Sequence, residues 1–123
     1  MLKLRTLPVS EYATNCYLLT CPETDQSLLV DPGGDPEAVL TLSEGLHVTR
    51  ILLTHGHPDH LLGVNEVQAT LGALVGIHPA DAVEFGIVAD LELRDGMRLR
   101  VGRRFVRVVH IPGHTAGSIA LRF

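Results

Sequence analysis

The segment Thr54-His55-Gly56-His57-Pro58-Asp59-His60 gathers three imidazoles and a carboxylate into six residues. Neutral imidazole and carboxylate are donors that zinc, iron and manganese accept. In extended backbone, histidines two apart project to the same side of the chain, so His55 and His57 form a pair of pincers. Gly56 between them keeps the crowded opposite side free of a side chain. Pro58 stiffens the exit. Asp59 then stands near the start of a helix, where the dipole favours a carboxylate, and His60 follows at once. Without a cation these groups would repel one another and pack poorly, so the chemistry implied is metal binding.

A second segment, His110-Ile111-Pro112-Gly113-His114-Thr115, also follows an apolar run. Gly113 is expected to allow a tight approach there, with His114 emerging from the turn. Alone, Pro-Gly-His reads as a turn. Beside the first cluster, His114 becomes the third imidazole. Three imidazoles with one position left for water is the pattern of catalytic zinc. His47 is expected to be solvated at a helix end, and His78 and His110 are not assigned as ligands.

Elements must carry these groups. The apolar run Ile51-Leu52-Leu53 reads as a strand covered on both faces, and loops at the carboxyl ends of such strands are where α/β proteins build sites. Before it, residues 2–8 suggest an outer strand ending at Pro8. Strands over 16–20 and 27–31 flank a turn at 22–26. Asp35 reads as an N-cap with Pro36 in the first turn and Gly45 as the stop; Val39 and Leu42 face the core. After the histidines, Leu61, Val64, Val67 and Leu71 recur at helical spacing up to Gly72. A strand at 73–77, a short helix or loop at 79–85, a hairpin of 98–101 with 105–111 around Gly102-Arg103, and a strand at 118–122 complete the chain. Parallel-type alternation thus gives way to antiparallel strands, a mixed layered α/β architecture.

Composition agrees with a folded chain. Its 123 residues fit one domain, and hydrophobic residues make up 46% with a mean hydropathy of +0.23. Only 4% are aromatic and none is Trp, so the core must be aliphatic. The net charge of −4 disfavours nonspecific nucleic-acid binding. The late arginines, Arg94 to Arg107, read as a solvated face of two strands. Cys16 and Cys21 are five apart, which sends them to opposite faces if one strand holds both, and they read as small buried or half-buried hydrophobes. No run spans a bilayer and no signal-peptide layout is present, so the expected setting is cytoplasmic, without a membrane partner.

These motifs resemble the metallo-β-lactamase fold hydrolases. Thr54 to His60 resembles their Thr-His-x-His-x-Asp-His signature. Asn15-Cys16-Tyr17-Leu18-Leu19, Val30-Asp31-Pro32-Gly33 and Pro112-Gly113-His114-Thr115 resemble their other early motifs, in the same order. The chain is most similar to the glyoxalase II-like (hydroxyacylglutathione hydrolase-like) branch. The resemblance implies an α/β (α+β) fold, an αββα sandwich of which residues 1–123, as one domain, form the N-terminal portion. It implies one or two zinc ions, with iron or manganese as alternatives. His55, His57 and His114 would hold the first metal, and Asp59 and His60 the second. Asp59 would also serve catalysis, and Asp31 would support the site from behind. The implied reaction is attack of metal-bound hydroxide on a small-molecule thioester or related acyl bond.

Alternatives within the fold are a persulfide dioxygenase with one iron and a ribonuclease Z-like nuclease; outside catalysis, a metal-binding module. The family also carries a later Asp that bridges both metals and a further His. Neither falls within these residues, so the chain is expected to be C-terminally truncated relative to the family. The inner face of such a half-sandwich is expected to be apolar and to be covered by a second copy of the chain.

Overall fold

A computed structural model describes the chain apart from residues 12, 13, 58–60 and 62. Its first sheet is built from β1 (Lys3–Val9), β2 (Thr14–Thr20), β3 (Gln26–Val30), β4 (His47–Leu52), β5 (Leu74–Ile77) and β6 (Leu91–Glu92), in that spatial order. β1 and β2 pair antiparallel, as do β2 and β3; from β3 to β6 each pairing is parallel. Helices α1 (Pro36–Leu42), α2 (Val64–Leu71) and α3 (Pro79–Phe85) fall in the crossovers. A second, antiparallel sheet follows, β7 (Arg98–Val101), β8 (Arg104–His110) and β9 (Ile119–Arg122).

The central strands have an apolar residue on each face because each face has its own cover. Leu18, Leu29, Ile51 and Leu53 belong to one core cluster with Val39, Val64 and Val67 from the helices. Leu19, Leu28, Val30 and Leu52 belong to the other, with Leu99, Val101, Val106, Val108 and Ile119 from the second sheet. Successive residues of β3 and β4 thus alternate between two cores, as the period of a strand requires. The layers are helices, large sheet and small sheet, a mixed α/β arrangement. Cys16 lies in the helix-side core and Cys21 in the inter-sheet core, both buried and free.

Several local expectations are corrected. Asp35 does stand at the N-cap of α1, but in a left-handed conformation with no side-chain cap; its Oδ2 instead accepts from the Ser10 amide at 3.0 Å. His47 is exposed, as expected, yet it opens β4 rather than closing a helix. β8 begins one residue earlier than the hydrophobic run suggests, because Arg104 pairs with Val101 across the Gly102-Arg103 turn. The two-residue strand β6 carries no sequence signal, being too short for any period to register.

The inner face is only partly open. The small sheet covers its middle. Over β1 and β2 an apolar groove of about 210 Å³ remains, lined by Leu4, Tyr17, Leu19, Val30, Leu121 and Phe123, with Thr54 at its end. Arg98, Arg100 and Arg107 are exposed on the outer face of the small sheet, as anticipated. Arg98 lies over the Phe105 ring at 4.3 Å. Among the described residues, no helix is long and apolar enough to cross a membrane.

Candidate metal centre

β4 carries the chain to the rim of the large sheet, and its end is held on three sides. The Leu53 amide donates to the Gly76 carbonyl at 2.9 Å, and the Asp31 amide donates to the Leu52 carbonyl at 3.0 Å. The Ile119 amide of β9 donates to the Thr54 carbonyl at 2.9 Å, tying the small sheet to the large one beside the histidines. Gly56 is required by crowding: a Cβ there would run into the Phe85 ring of α3. At Gly113 the expected close approach is not seen among the described residues: none of them lies within 4 Å of a Cβ there, and the φ of +159° is what favours glycine.

His55, His57 and His114 converge. One ring nitrogen from each lies within 4.8 Å of the others. His57 Nδ1 and His114 Nε2 are 3.0 Å apart. The rings are nearly perpendicular in every pairing, at 88°, 83° and 90°, with centroids 4.6 to 5.0 Å apart. A tetrahedral zinc with bonds of about 2.0–2.1 Å places its ligand nitrogens about 3.3 Å apart. The donor set and its spacing therefore fit a cation. His55 is buried, His57 intermediate and His114 exposed, so the centre opens to solvent on the His114 side.

The groups behind the imidazoles fix their chemistry. Asp31, 2% exposed, accepts from the Thr54 amide at 2.8 Å and from the Thr54 hydroxyl at 2.6 Å. With its proton committed to Asp31, Thr54 Oγ1 can only accept in its 3.1 Å contact with His55 Nδ1. His55 then carries its proton on Nδ1 and keeps the Nε2 lone pair available for a metal. Asp31 thus reaches His55 through Thr54, a link that sequence reading passed over.

Sequence reading also missed Asp81. This carboxylate is fully buried and accepts from the Gly56 amide at 2.9 Å, the Thr115 hydroxyl at 2.7 Å and the Gly117 amide at 2.8 Å. Burial pushes its pKa up, but the hydrogen bonds from Thr115, Gly56 and Gly117 outweigh it and hold the carboxyl below its ordinary value. Its only sequence signal was the pair His78-Pro79 opening a short helix.

His78 and His110 stand apart from the triad and stack on each other, with centroids 4.1 Å apart. His78 Nδ1 accepts from the Ala80 amide and caps α3. His110 Nε2 lies 2.8 Å from the Ala116 carbonyl. Asp59 and His60 fall outside the described residues.

The sequence pattern of the Metallo-beta-lactamase superfamily matches residues 9–123, and the chain belongs to that superfamily. It is similar to the hydroxyacylglutathione hydrolase of Cereibacter sphaeroides, 40% identical over 125 residues that cover 99% of this chain and 48% of the relative. The chain therefore spans about half the length of the curated relatives it matches. Among solved structures it is similar to ETHE1 from Myxococcus xanthus, with a TM-score of 0.86 and 29% identity over 98% of this chain and 53% of that one. It is also similar to TTHA1623 in a di-iron-bound form, with a TM-score of 0.78 and 32% identity over 96% of this chain and 66% of that one.

Proposed function

We propose that this chain supplies the metal-binding part of a glyoxalase II-like metallohydrolase that cleaves a thioester or related acyl bond of a small molecule. The observation that carries this reading is the convergence of His55, His57 and His114, backed by a superfamily match over residues 9–123. These three imidazoles hold the first metal. Asp59 and His60 are assigned to a second by resemblance, and Asp59 to the catalytic step. When bound, a divalent cation lowers the pKa of a coordinated water to about 7 and polarises the acyl carbonyl.

The chain's own residues prepare that chemistry. Asp31 locks the Thr54 hydroxyl, which in turn locks the His55 tautomer. Phe85 packs edge-on to the His57 ring at 5.3 Å and limits its rotation. His114, being exposed, leaves the open side of the centre to water and substrate. The two free buried thiols suit a reducing, cytoplasmic setting.

Zinc is our first choice of metal. Iron is the second, because a structure similar to this chain is a di-iron-bound form. Metal analysis of chain purified without added metal separates the two. Substituting His57→Ala should abolish tight binding of the first metal, and an unchanged metal-to-protein ratio in that variant would sink the ligand assignment.

A further inference from the structure

The two histidine-bearing turns are far apart in sequence and lie on different sheets. His55 and His57 leave the end of β4, whereas His114 lies in the turn between β8 and β9. Three-imidazole binding needs both turns in register to a fraction of an ångström, yet no direct hydrogen bond between the backbones of 55–57 and 113–117 is found among the described residues. One side chain from a third element bridges them. Asp81 of α3 takes the amide of Gly56, between the first two histidines, on Oδ2. The same oxygen takes the hydroxyl of Thr115, next to His114. Its Oδ1 takes the amide of Gly117 from the same turn.

The surroundings are shaped around this carboxylate. Any Cβ at Gly117 would sit 2.7 Å from the Asp81 amide nitrogen and 2.8 Å from Oδ1. Ser118 completes the chain of bonds: its Oγ accepts from the Thr115 amide at 3.0 Å and contacts the Thr115 hydroxyl at 2.7 Å. Since Thr115 donates to Asp81, the Ser118 hydroxyl must donate to Thr115, and every proton in the network has a single place to go. The same helix presses Phe85 against Gly56 and the His57 ring.

We infer that Asp81 is a positioning residue for the metal centre: it sets the His55–His57 turn against the His114 turn, so that the three imidazoles are placed before a cation arrives. This rests on the metal-binding reading above. An amide cannot replace the carboxylate. An Asn side chain with its oxygen toward Gly117 turns an NH2 on the Gly56 N–H, and the flipped rotamer turns it on the Gly117 N–H. Either way one backbone donor is left unpaired beside one of the two turns.

The test is a zinc titration of the full chain against a chromophoric chelator, with cobalt(II) spectra of the same proteins. Both are run at a temperature where far-UV circular dichroism shows the variant folded. Asp81→Asn should weaken metal binding about 10- to 100-fold, the range found when groups that orient ligands are lost. It should also alter the cobalt d–d bands, which a purely structural role would leave unchanged. A folded Asp81→Asn with wild-type affinity and spectrum overturns the inference. If Asp81→Asn does not fold, Thr115→Val decides, since it removes one donor and leaves the carboxylate. Weaker binding in that variant supports the positioning role, and wild-type binding overturns it. Failure of the wild-type chain to bind zinc or cobalt at all would instead overturn the metal-centre reading, and this inference with it.

Discussion

Gly117→Ala puts the crowding behind the His114 turn to a quantitative test. Gly117 lies outside the left-handed region, so the substitution reads space alone. The new methyl would stand 2.7 Å from the Asp81 amide nitrogen and 2.8 Å from Oδ1, where carbon contacts are comfortable at about 3.5–4.0 Å. Neither neighbour can swing aside, because Asp81 is 0% exposed and its carboxylate already holds three donors. Overpacking of this kind costs about 1–3 kcal/mol. Backing Gly117 away also stretches its 2.8 Å amide bond to the carboxylate, a charged-acceptor bond worth about 1.5–3 kcal/mol. The expected loss is therefore about 2.5–6 kcal/mol, read as a shift of the urea midpoint with metal chelated. In an Asp81→Ala background the Oδ1 clash and the lost hydrogen bond both disappear, so the same substitution should cost about 1.5–3 kcal/mol less. Costs that add to within about 0.5 kcal/mol in the two backgrounds would refute the reasoning.

Three other outcomes are expected. Leu52→Ala empties a fully buried site between the two sheets and should cost about 2–5 kcal/mol in urea, whereas Leu74→Ala, at a position 47% exposed, should cost far less; equal costs would contradict the burial argument. Burial, with the Asp31 charge adding to it, pushes the Cys16 thiol up to about 12, so in a Cys21→Ser variant at pH 8 the remaining thiol should resist a disulfide reagent until the chain is unfolded. Burial, helped by the His110 and Arg94 charges and opposed by Asp81, lowers the pKa of His78. A depressed histidine pKa means stability present above the unfolded value of about 6.5 and lost as pH falls through the folded one. Thermal melts from pH 8 to 5 should show the wild type losing more than His78→Asn, which caps without titrating; parallel curves would rule this out.

Much of the centre was legible because its groups are consecutive. His55 and His57 flank one residue at a strand end, so periodicity alone aims both the same way. His114 was legible only by composition, as a histidine in a turn after a strand, with no local rule to bring it to the other two. Asp31 was placed by resemblance, but its path to His55 through Thr54 depends on one rotamer that no pattern encodes. Asp81 left almost no trace, because a buried aspartate in a short helix looks like a solvated one until the donors around it are seen. The two-sided apolar character of β4 announced a covered strand; which cover lay on which face followed only from the pairing of the sheets.

The 2.9 Å bond from the Ile119 amide to the Thr54 carbonyl also bears on when this centre can exist. The ligand set closes a loop from residue 57 to residue 114, and β4 and β9 meet only once the small sheet has docked on the large one. Contacts of such sequence separation form late and slowly. An early collapsed species would hold at most the His55–His57 pair and bind a cation weakly. The three-imidazole centre is thus a property of the folded chain, and a cation bound there adds its free energy mainly to the native state. Separation of the two sheets would therefore release the metal, whereas the folded chain can lose its metal with the sheets still docked.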